Sequence, residues 1–421
     1  MPRRALAALL VLACAPPDPA TTTEATLAGT SSTSTAGPVP TTSTTGEPAS
    51  STGEPASSTG ASTGEPAHCG DGVRAPGELC FAPPQPVAAG ARPVALDIAD
   101  LDAAGDLDLV LVDFELGRLE LRLGDGAGAF TEGPSLPGFL RPRDVVAADL
   151  DGDGHPDLAF ADPEFGLVGR RLWVGPGAAF GPAQPAGAGV QPRALVAAHL
   201  DDDAILDLAA ADEVADAVLV LKGLGAGEFA DPVVYPVGDS PYDVVAADLD
   251  DDGDLDLVSA DQNQARVSVL LSDGSGAFVA AGQRFVNPEP RRIAVADLDL
   301  DGHLDLAAAS YTADHLAVLP GEGAAMFGET IPLGLGAGLY AVIAADLDDD
   351  GAPELAAVDY DRSELVVVDD LGAGKIVSVR RFAVGAGPMD LAAADLDGDG
   401  ALDLVTADAF GGGATVLLAD P

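Results

Sequence analysis

Basic residues are scarce in this chain of 421: 20 Lys plus Arg stand against 68 Asp plus Glu, a formal charge of −48. Binding a phosphate backbone needs a surplus of cations, so nucleic acid is excluded as a partner. Aromatic residues make up only 5%, and there are 3 cysteines. Long apolar runs are also missing. The longest, residues 5–15, is about half of the ~20 residues a helix needs to cross a bilayer, so no membrane span is expected. What is present is a hydrophobic content of 47%, with 51 Gly and 33 Pro. That balance describes core-forming segments cut by many turns rather than wholesale disorder.

The chain opens on Met1-Pro2-Arg3-Arg4, a short cationic start, followed by an apolar stretch over residues 5–13. Val11-Leu12-Ala13-Cys14 then resembles the lipobox of bacterial lipoprotein signal peptides. The resemblance implies removal of residues 1–13 and acylation of Cys14, leaving a lipid anchor as the only membrane contact. An ordinary secretory signal is the alternative. Either reading takes the protein out of the cytosol, to the cell envelope as an outer-membrane lipoprotein or into the medium.

Residues 14–68 are composed almost wholly of Ala, Ser, Thr, Gly and Pro, and TGEPA recurs from Thr45, Thr52 and Thr63. A segment so poor in large apolar side chains cannot offset the entropy of ordering, and reads as a disordered tether. Its flexible reach is about 40 Å. Residues 69–80, CGDGVRAPGELC, look like a Cys-rich repeat of secreted myxobacterial proteins. With Cys14 assigned to lipid, Cys69 and Cys80 form an even pair in an oxidising compartment, most simply a disulfide. Metal ligation by the two thiolates is the alternative, and lacks further Cys or His ligands nearby.

A period of 49 residues organises the remainder, 81–421. Nine-residue windows start at Asp100, Asp149, His199, Asp248, Asp297, Asp346 and Asp395, reading DLDAAGDLD, DLDGDGHPD, HLDDDAILD, DLDDDGDLD, DLDLDGHLD, DLDDDGAPE and DLDGDGALD. Short Val/Leu/Ala runs flank each window and a third follows. A Gly-rich turn and a phenylalanine open a fourth: Phe130, Phe180, Phe229, Phe278 and Phe327 each lie 19 residues before the next window. Runs this short, bounded by Gly, Pro and Asp, are strands and not helices. Each repeat is therefore expected to be a four-stranded antiparallel unit, and seven of them a β-propeller.

The termini distinguish a closed ring from an open stack. The chain ends just after its seventh third-strand, at residues 415–418, while FAPPQPVAAGARP from Phe81 aligns with FGPAQPAGAGVQP from Phe180. The strand missing at one end stands at the other. The expected fold is thus all-β, a seven-bladed propeller closed by an N-terminal strand, residues 81–90, pairing with the last blade.

The windows, the phrase VSVLLSDGSGAF at 267–278 and the period resemble FG-GAP/VCBS repeats, the propeller type also found at the head of integrin α subunits. The resemblance covers residues 81–421 and implies Ca2+ in the loop joining the first two strands of each blade. The residues suit that ion. Calcium takes six to eight hard oxygens, and carboxylates at loop positions 1, 3, 5 and 9 with a carbonyl at 7 supply them, while Gly at 6 permits the turn. Four windows carry the whole set: Asp149, Asp151, Asp153, Asp157; Asp248, Asp250, Asp252, Asp256; Asp297, Asp299, Asp301, Asp305; and Asp395, Asp397, Asp399, Asp403. The sixth ends in a glutamate, as Asp346, Asp348, Asp350 and Glu354. The first window, with Ala104 at position 5, and the third, with His199 at position 1 and Ala204 at position 6, are expected to be weak or empty. The windows hold 31 of the 68 acidic residues and no Lys or Arg, a density that repels itself unless neutralised.

Such calcium is expected to be structural, since a catalytic ion needs an open position and a reactive partner. No Gly-x-Ser-x-Gly or HExxH motif occurs and the five histidines are scattered. Recognition is expected on the opposite face, in the loops between the second and third strands and in the connections between blades. These carry Arg118, Arg141, Arg143, Arg170, Arg193, Arg266, Arg291, Arg292 and Arg362 with Phe114, Phe165, Tyr311, Tyr360 and Phe410. Asp113, Asp162, Asp212, Asp261, Asp359 and Asp408 there are also simple turn caps. The expectation is a monomeric, non-enzymatic surface module that binds an extracellular protein or glycan. The alternative is a calcium-dependent enzyme that cleaves polysaccharides.

Overall fold

The computed structural model describes residues 79–369 and 378–419. The signal sequence, the tether, Cys14 and Cys69 lie outside the described residues; Cys80 is buried. Seven four-stranded antiparallel sheets follow one another. Six begin and end within one repeat, the first running Pro93–Ala99, Asp108–Asp113, Arg118–Gly124 and Phe130–Pro137. The seventh takes three strands from the C-terminus and its fourth from Gln85–Ala88, which pairs antiparallel with Gly413–Leu417. Gln85 stands opposite Val416 and Ala88 opposite Gly413, with Phe81 bridging to Ala419 beyond. The ring closes as expected from the alignment of its ends.

The core explains why these strands read as continuous apolar runs rather than alternating ones. Each blade packs on a neighbour with both faces, so all six residues of the second strands, Asp108–Asp113 and Asp157–Asp162 among them, are buried. Seven hydrophobic clusters result, one at each interface between blades. One joins Leu150, Ala159 and Val168 of the second blade to Leu195, Leu208 and Leu219 of the third. The closing interface joins Leu396 and Val416 of the seventh blade to Leu96 and Leu109 of the first.

The phenylalanine expected to open every fourth strand does so only in blades 1 and 4, at Phe130 and Phe278. In blades 2 and 3, Phe180 and Phe229 instead complete two-stranded hairpins with Trp173–Gly175 and Gly223–Gly225. The fourth strands start later, at Gln184 and Val233. Gly181-Pro182 and Asp231-Pro232 intervene, and proline has no N–H to carry the ladder through.

First strands line the axis. Five of them start on a proline seven residues before the window, as at Pro93, Pro192 and Pro388; in blade 2 the equivalent Pro142 stands two residues ahead of its strand, and blade 6 has Leu339. A strand's first residue tolerates the missing donor. The acidic windows therefore lie at one end of the axis and the prolines at the other.

Candidate functional site: acidic loops and the axial mouth

The window loops are folded by their own carboxylates. The position-1 acid accepts the N–H of position 6 in six of them, for instance Gly154 N to Asp149 at 2.9 Å and Gly302 N to Asp297 at 2.9 Å. Positions 4 and 6 take left-handed backbone, with φ 62° at Asp251 and 98° at Gly253. The position-9 acid opens the second strand. Asp305 accepts Leu298 N at 2.8 Å and Gly321 N at 2.6 Å, and Asp403 accepts Leu396 N and Ala419 N at 2.8 and 2.7 Å.

These bonds bring the acids of positions 1, 3 and 9 together. Ligand oxygens of Asp149, Asp151 and Asp157 lie within 4.8 Å of one another, as do those of Asp248, Asp250 and Asp256, of Asp297, Asp299 and Asp305, and of Asp346, Asp348 and Glu354. Asp100, Asp102 and Asp108 converge equally, so the first window, expected to be weak, has the same constellation despite Ala104. The position-5 acids Asp153, Asp252, Asp301, Asp350 and Asp399 also brace the loop, each accepting with one oxygen the N–H of position 7 at 2.8 to 2.9 Å. In the seventh window burial first, with Asp397 and Asp399 adding to it, pushes Asp403 up to about 7.

Outside the third window, no Lys or Arg among the described residues pairs with a window carboxylate. Burial first, with neighbouring carboxylates adding to it, pushes Asp108, Asp157, Asp256 and Asp305 up to about 6 and Glu354 up to about 8. Oxygens of Asp100, Asp250 and Asp346 are buried with no hydrogen-bond donor. Orphaned, convergent carboxylate oxygens are the donor set of a hard divalent cation.

The third window differs in kind. Lys222, one of two lysines in the chain, places its ammonium against Asp201 and 3.5 Å from Asp203. Burial works to raise Asp201, but the Lys222 bond holds it below the usual carboxylate range. His199 replaces the first acid, and its Nδ1 lies 3.1 Å from the carbonyl oxygen of Ile205, the position-7 carbonyl. Neither Asp202 nor Ala204 takes a left-handed φ. Instead Asp202 N donates to Gly274 O of the next blade at 3.1 Å. An ammonium thus stands among acids that in the other windows have no Lys or Arg beside them among the described residues.

At the other end of the axis, the residue six before each window sits at the channel mouth. In chain order these residues are Val94, Arg143, Arg193, Tyr242, Arg291, Tyr340 and Met389. Together with rings from neighbouring turns, they form a girdle around the axis. Arg143 lies over Phe114 at 4.1 Å, and Arg92 over both Phe114 and Phe410, at 5.2 and 5.5 Å. Phe410 meets Tyr360 at 5.9 Å, Tyr360 stacks on Tyr340 at 5.8 Å, and Tyr340 meets Tyr242. Arg193 covers Tyr242 at 3.6 Å and Arg291 covers it from 4.4 Å. Arg143 and Arg193 line one small cavity with Val94, Tyr242, Tyr340 and Met389. Every blade contributes.

One layer deeper, Arg292 is buried among Asp144, Asp243 and Asp390, at 3.4, 3.1 and 3.5 Å. Those aspartates also fasten blade to blade: Asp390 accepts Leu96 N, Asp144 Leu195 N and Asp243 Ile293 N, at 3.1, 2.9 and 2.8 Å. Asp97 performs the same service with Ala147 N at 2.8 Å, and burial pushes it up to about 7.

Of the residues expected on this face, Arg141, Arg143, Arg193, Arg291, Phe114, Tyr311, Tyr360 and Phe410 come to the mouth. The others do not. Arg118 pairs with Glu120, Arg170 is buried against Glu228 and Pro185 O, Arg266 covers Phe285, and Arg362 holds Asp359. Arg292 belongs to the channel, and Phe165 stands exposed. The six aspartates of the loops are buried, and four of them accept backbone N–H groups of turns, as in Ala215 N to Asp212 and Leu116 N to Asp113. Asp261 and Asp408 bond serine and threonine hydroxyls instead. Sequence reasoning missed Arg92, Tyr242 and Tyr340; the position that Tyr242 and Tyr340 share with three arginines is the signal that finds them.

Comparisons with known proteins agree with this architecture. A comparison with curated proteins gives no match. Among solved structures, BBS1N from a complex with ARL6DN superposes with a TM-score of 0.56 at 13% identity, covering 83% of this chain and 98% of that one. An Agrocybe aegerita lectin that recognises non-reducing terminal N-acetylglucosamine superposes with a TM-score of 0.51 at 19% identity, covering 80% of this chain and 86% of that one. At these identities the likeness is one of fold. A family model described as an FG-GAP-like repeat matches residues 100–160, 199–259, 248–308, 297–357 and 346–406, well over half of the sequence. With seven blades of one period and an acidic window in each, the chain belongs to the family of FG-GAP-like repeat proteins.

Proposed function

We propose that this protein is a non-enzymatic, calcium-stiffened propeller that binds an extracellular protein or glycan at its axial mouth. The observation that carries the reading is the girdle of guanidinium and aromatic groups contributed by all seven blades, with Arg193, Tyr242, Arg291 and Tyr340 set on strand starts and Phe114, Tyr360 and Phe410 on the turns that follow second strands. Arg, Tyr and Phe are the side chains that dominate recognition, and rigid elements place them accurately. Calcium belongs to the opposite end, where the orphaned oxygens of Asp100, Asp250 and Asp346 fit it. Its part is to neutralise the windows and hold the first two strands of each blade in register. Lipidation at Cys14 and the tether would stand the ring off a membrane surface as a monomer, and a Cys69–Cys80 disulfide would secure its seam.

Capture from a cell-envelope extract with the full chain tests the binding reading. A ligand retained by the wild type and lost from Tyr360→Ala supports it; equal retention by that variant counts against the mouth. One observation favours polysaccharide cleavage as a second reading. Burial opposes ionisation of the Tyr242 hydroxyl, yet Arg193 and Arg291 hold it below the usual phenol range, beside Tyr340. An arginine-flanked phenol of that kind is a candidate proton acceptor. Release of unsaturated or reducing ends from a bound polysaccharide would favour this second reading; binding without product supports the first.

A further inference from the structure

We infer that the mouth takes an anionic group, a carboxylate or sulfate carried on a sugar, and that Arg143 is its principal contact. This rests on the binding reading above and narrows it. The chain carries a net charge of −48, yet Arg92, Arg141, Arg143, Arg193 and Arg291 gather around one opening. Three of them have carboxylates of their own: Arg141 has Glu164 at 3.6 Å, Arg193 has Glu213 at 2.5 Å and Arg291 has Glu289 at 3.6 Å. Arg92 and Arg143 have none among the described residues, and the Nε of each, like that of Arg291, is buried without an acceptor.

Arg143 is the more exacting case. Burial first, and the charge of Arg193 second, hold its guanidinium below the usual range. A cation stripped of water and set beside another cation is costly unless an anion answers it. The face of Phe114 is a weak answer, because three guanidiniums, those of Arg92, Arg141 and Arg143, already share that single ring at 5.2, 5.3 and 4.1 Å. It also offers no acceptor in the plane of the guanidinium, where a carboxylate or sulfate forms paired N–H···O bonds. Beside this corner the rings of Phe410, Tyr360 and Tyr311 supply apolar surface with polar edges. A sugar ring presenting C–H groups and one anionic substituent fits both parts. A polyacidic peptide would be repelled at longer range by the rest of the chain more strongly than a sugar carrying one anionic group.

Calorimetric titration of the full chain in saturating calcium tests this with methyl galacturonate, a monosulfated galactoside, its unsulfated counterpart and an oligoglutamate peptide. The charged sugars should bind at least about tenfold more tightly than the uncharged one. Arg143→Gln should remove that advantage, Arg143→Lys should retain part of it, and added salt should weaken it. Thermal melting of each variant in calcium confirms that it is folded, and Arg92→Gln provides a second removal of charge at the same corner. Equal affinity for the uncharged sugar, unmoved by Arg143→Gln, overturns the charge inference and leaves the binding reading standing. Binding of the peptide alone overturns the assignment to a sugar. Failure of all four probes overturns this inference, and the envelope capture then decides the broader reading by itself.

Discussion

At the scale of single residues, the axis shows how a propeller tolerates charge in its interior. Arg292 is the one cation among Asp144, Asp243 and Asp390, each of which is also tied to a backbone N–H of the following blade. Removing the guanidinium leaves buried carboxylates uncompensated, a loss of about 3–5 kcal/mol, so Arg292→Met should unfold at distinctly lower denaturant concentration. The same variant should be rescued by acid. Burial pushes Asp390 up to about 6 even with Arg292 to oppose it, and the loss of the cation raises it further. A carboxyl whose folded pKa is raised binds more protons when native, so its stability is present at low pH and lost as pH rises through that value. The melting temperature of Arg292→Met should therefore increase from pH 8 to pH 5 by more than that of the wild type, and equal slopes would contradict the role given to Arg292. Asp97 makes a narrower point. Its carboxylate accepts Ile98 N and Ala147 N at 2.8 Å each. Asp97→Ala orphans two N–H groups and should cost about 1–3 kcal/mol, while Asp97→Asn, which keeps an acceptor, should cost less.

The window loop is the repeating element, and its acids pull stability in two directions. As hydrogen-bond acceptors they fold the loop; as neighbouring anions they oppose it. Folded pKa values of about 6 for Asp108, Asp157, Asp256 and Asp305, and about 8 for Glu354, place the cost of ionisation between the ordinary carboxylate range and pH 8. In a chelator the protein should therefore lose stability as pH rises across that interval, and calcium should flatten the dependence by neutralising the ionised loops. Differential scanning calorimetry at pH 5.5 and 8, with and without chelator, reads this directly; a melting temperature indifferent to chelator at pH 8 would remove calcium from the account. Blade 3 supplies an internal control, because Lys222 already occupies the space between Asp201 and Asp203. Exchanging Lys222→Ala, His199→Asp and Ala204→Gly together should raise the calcium stoichiometry by one relative to the parent, measured by titration calorimetry. An unchanged stoichiometry would mean that something other than the ammonium closes this loop. Here the sequence was only half legible. The departures at His199 and Ala204 pointed to an altered loop, but Lys222 lies 23 residues on, at the end of the third strand, and only the hairpin's return brings it back.

For the whole molecule, legibility followed the repeat. The period of the windows disclosed seven blades, and the match between the Phe81 and Phe180 segments disclosed the closing strand, because both are pattern at a fixed spacing. The mouth was less visible, since Tyr242 and Tyr340 precede their windows in runs that otherwise read as ordinary first strands; only closure into a ring puts blades 4 and 6 in contact at 6.2 Å. Closure is thus the condition for the site as well as for the core, and it depends on a short strand. Residues Gln85–Ala88 cover the edge of Gly413–Leu417, Ala82 N and Ala89 N extend the ladder at 2.7 and 3.0 Å, and Leu79 and Phe81 enter the core between blades 6 and 7. Without this strand the last blade presents an unpaired edge, a template for association, and the interface between blades 7 and 1 becomes the first to open. Deleting residues 81–90 should accordingly lower the melting temperature by several degrees, expose the amides of residues 413–417 to rapid hydrogen exchange and produce larger species in light scattering than the full chain does. A synthetic peptide of residues 81–90 added in trans should reverse all three by refilling the edge. A deletion variant that scatters light and melts like the parent and keeps those amides protected would show that the ring is held shut by its six covalently continuous interfaces alone.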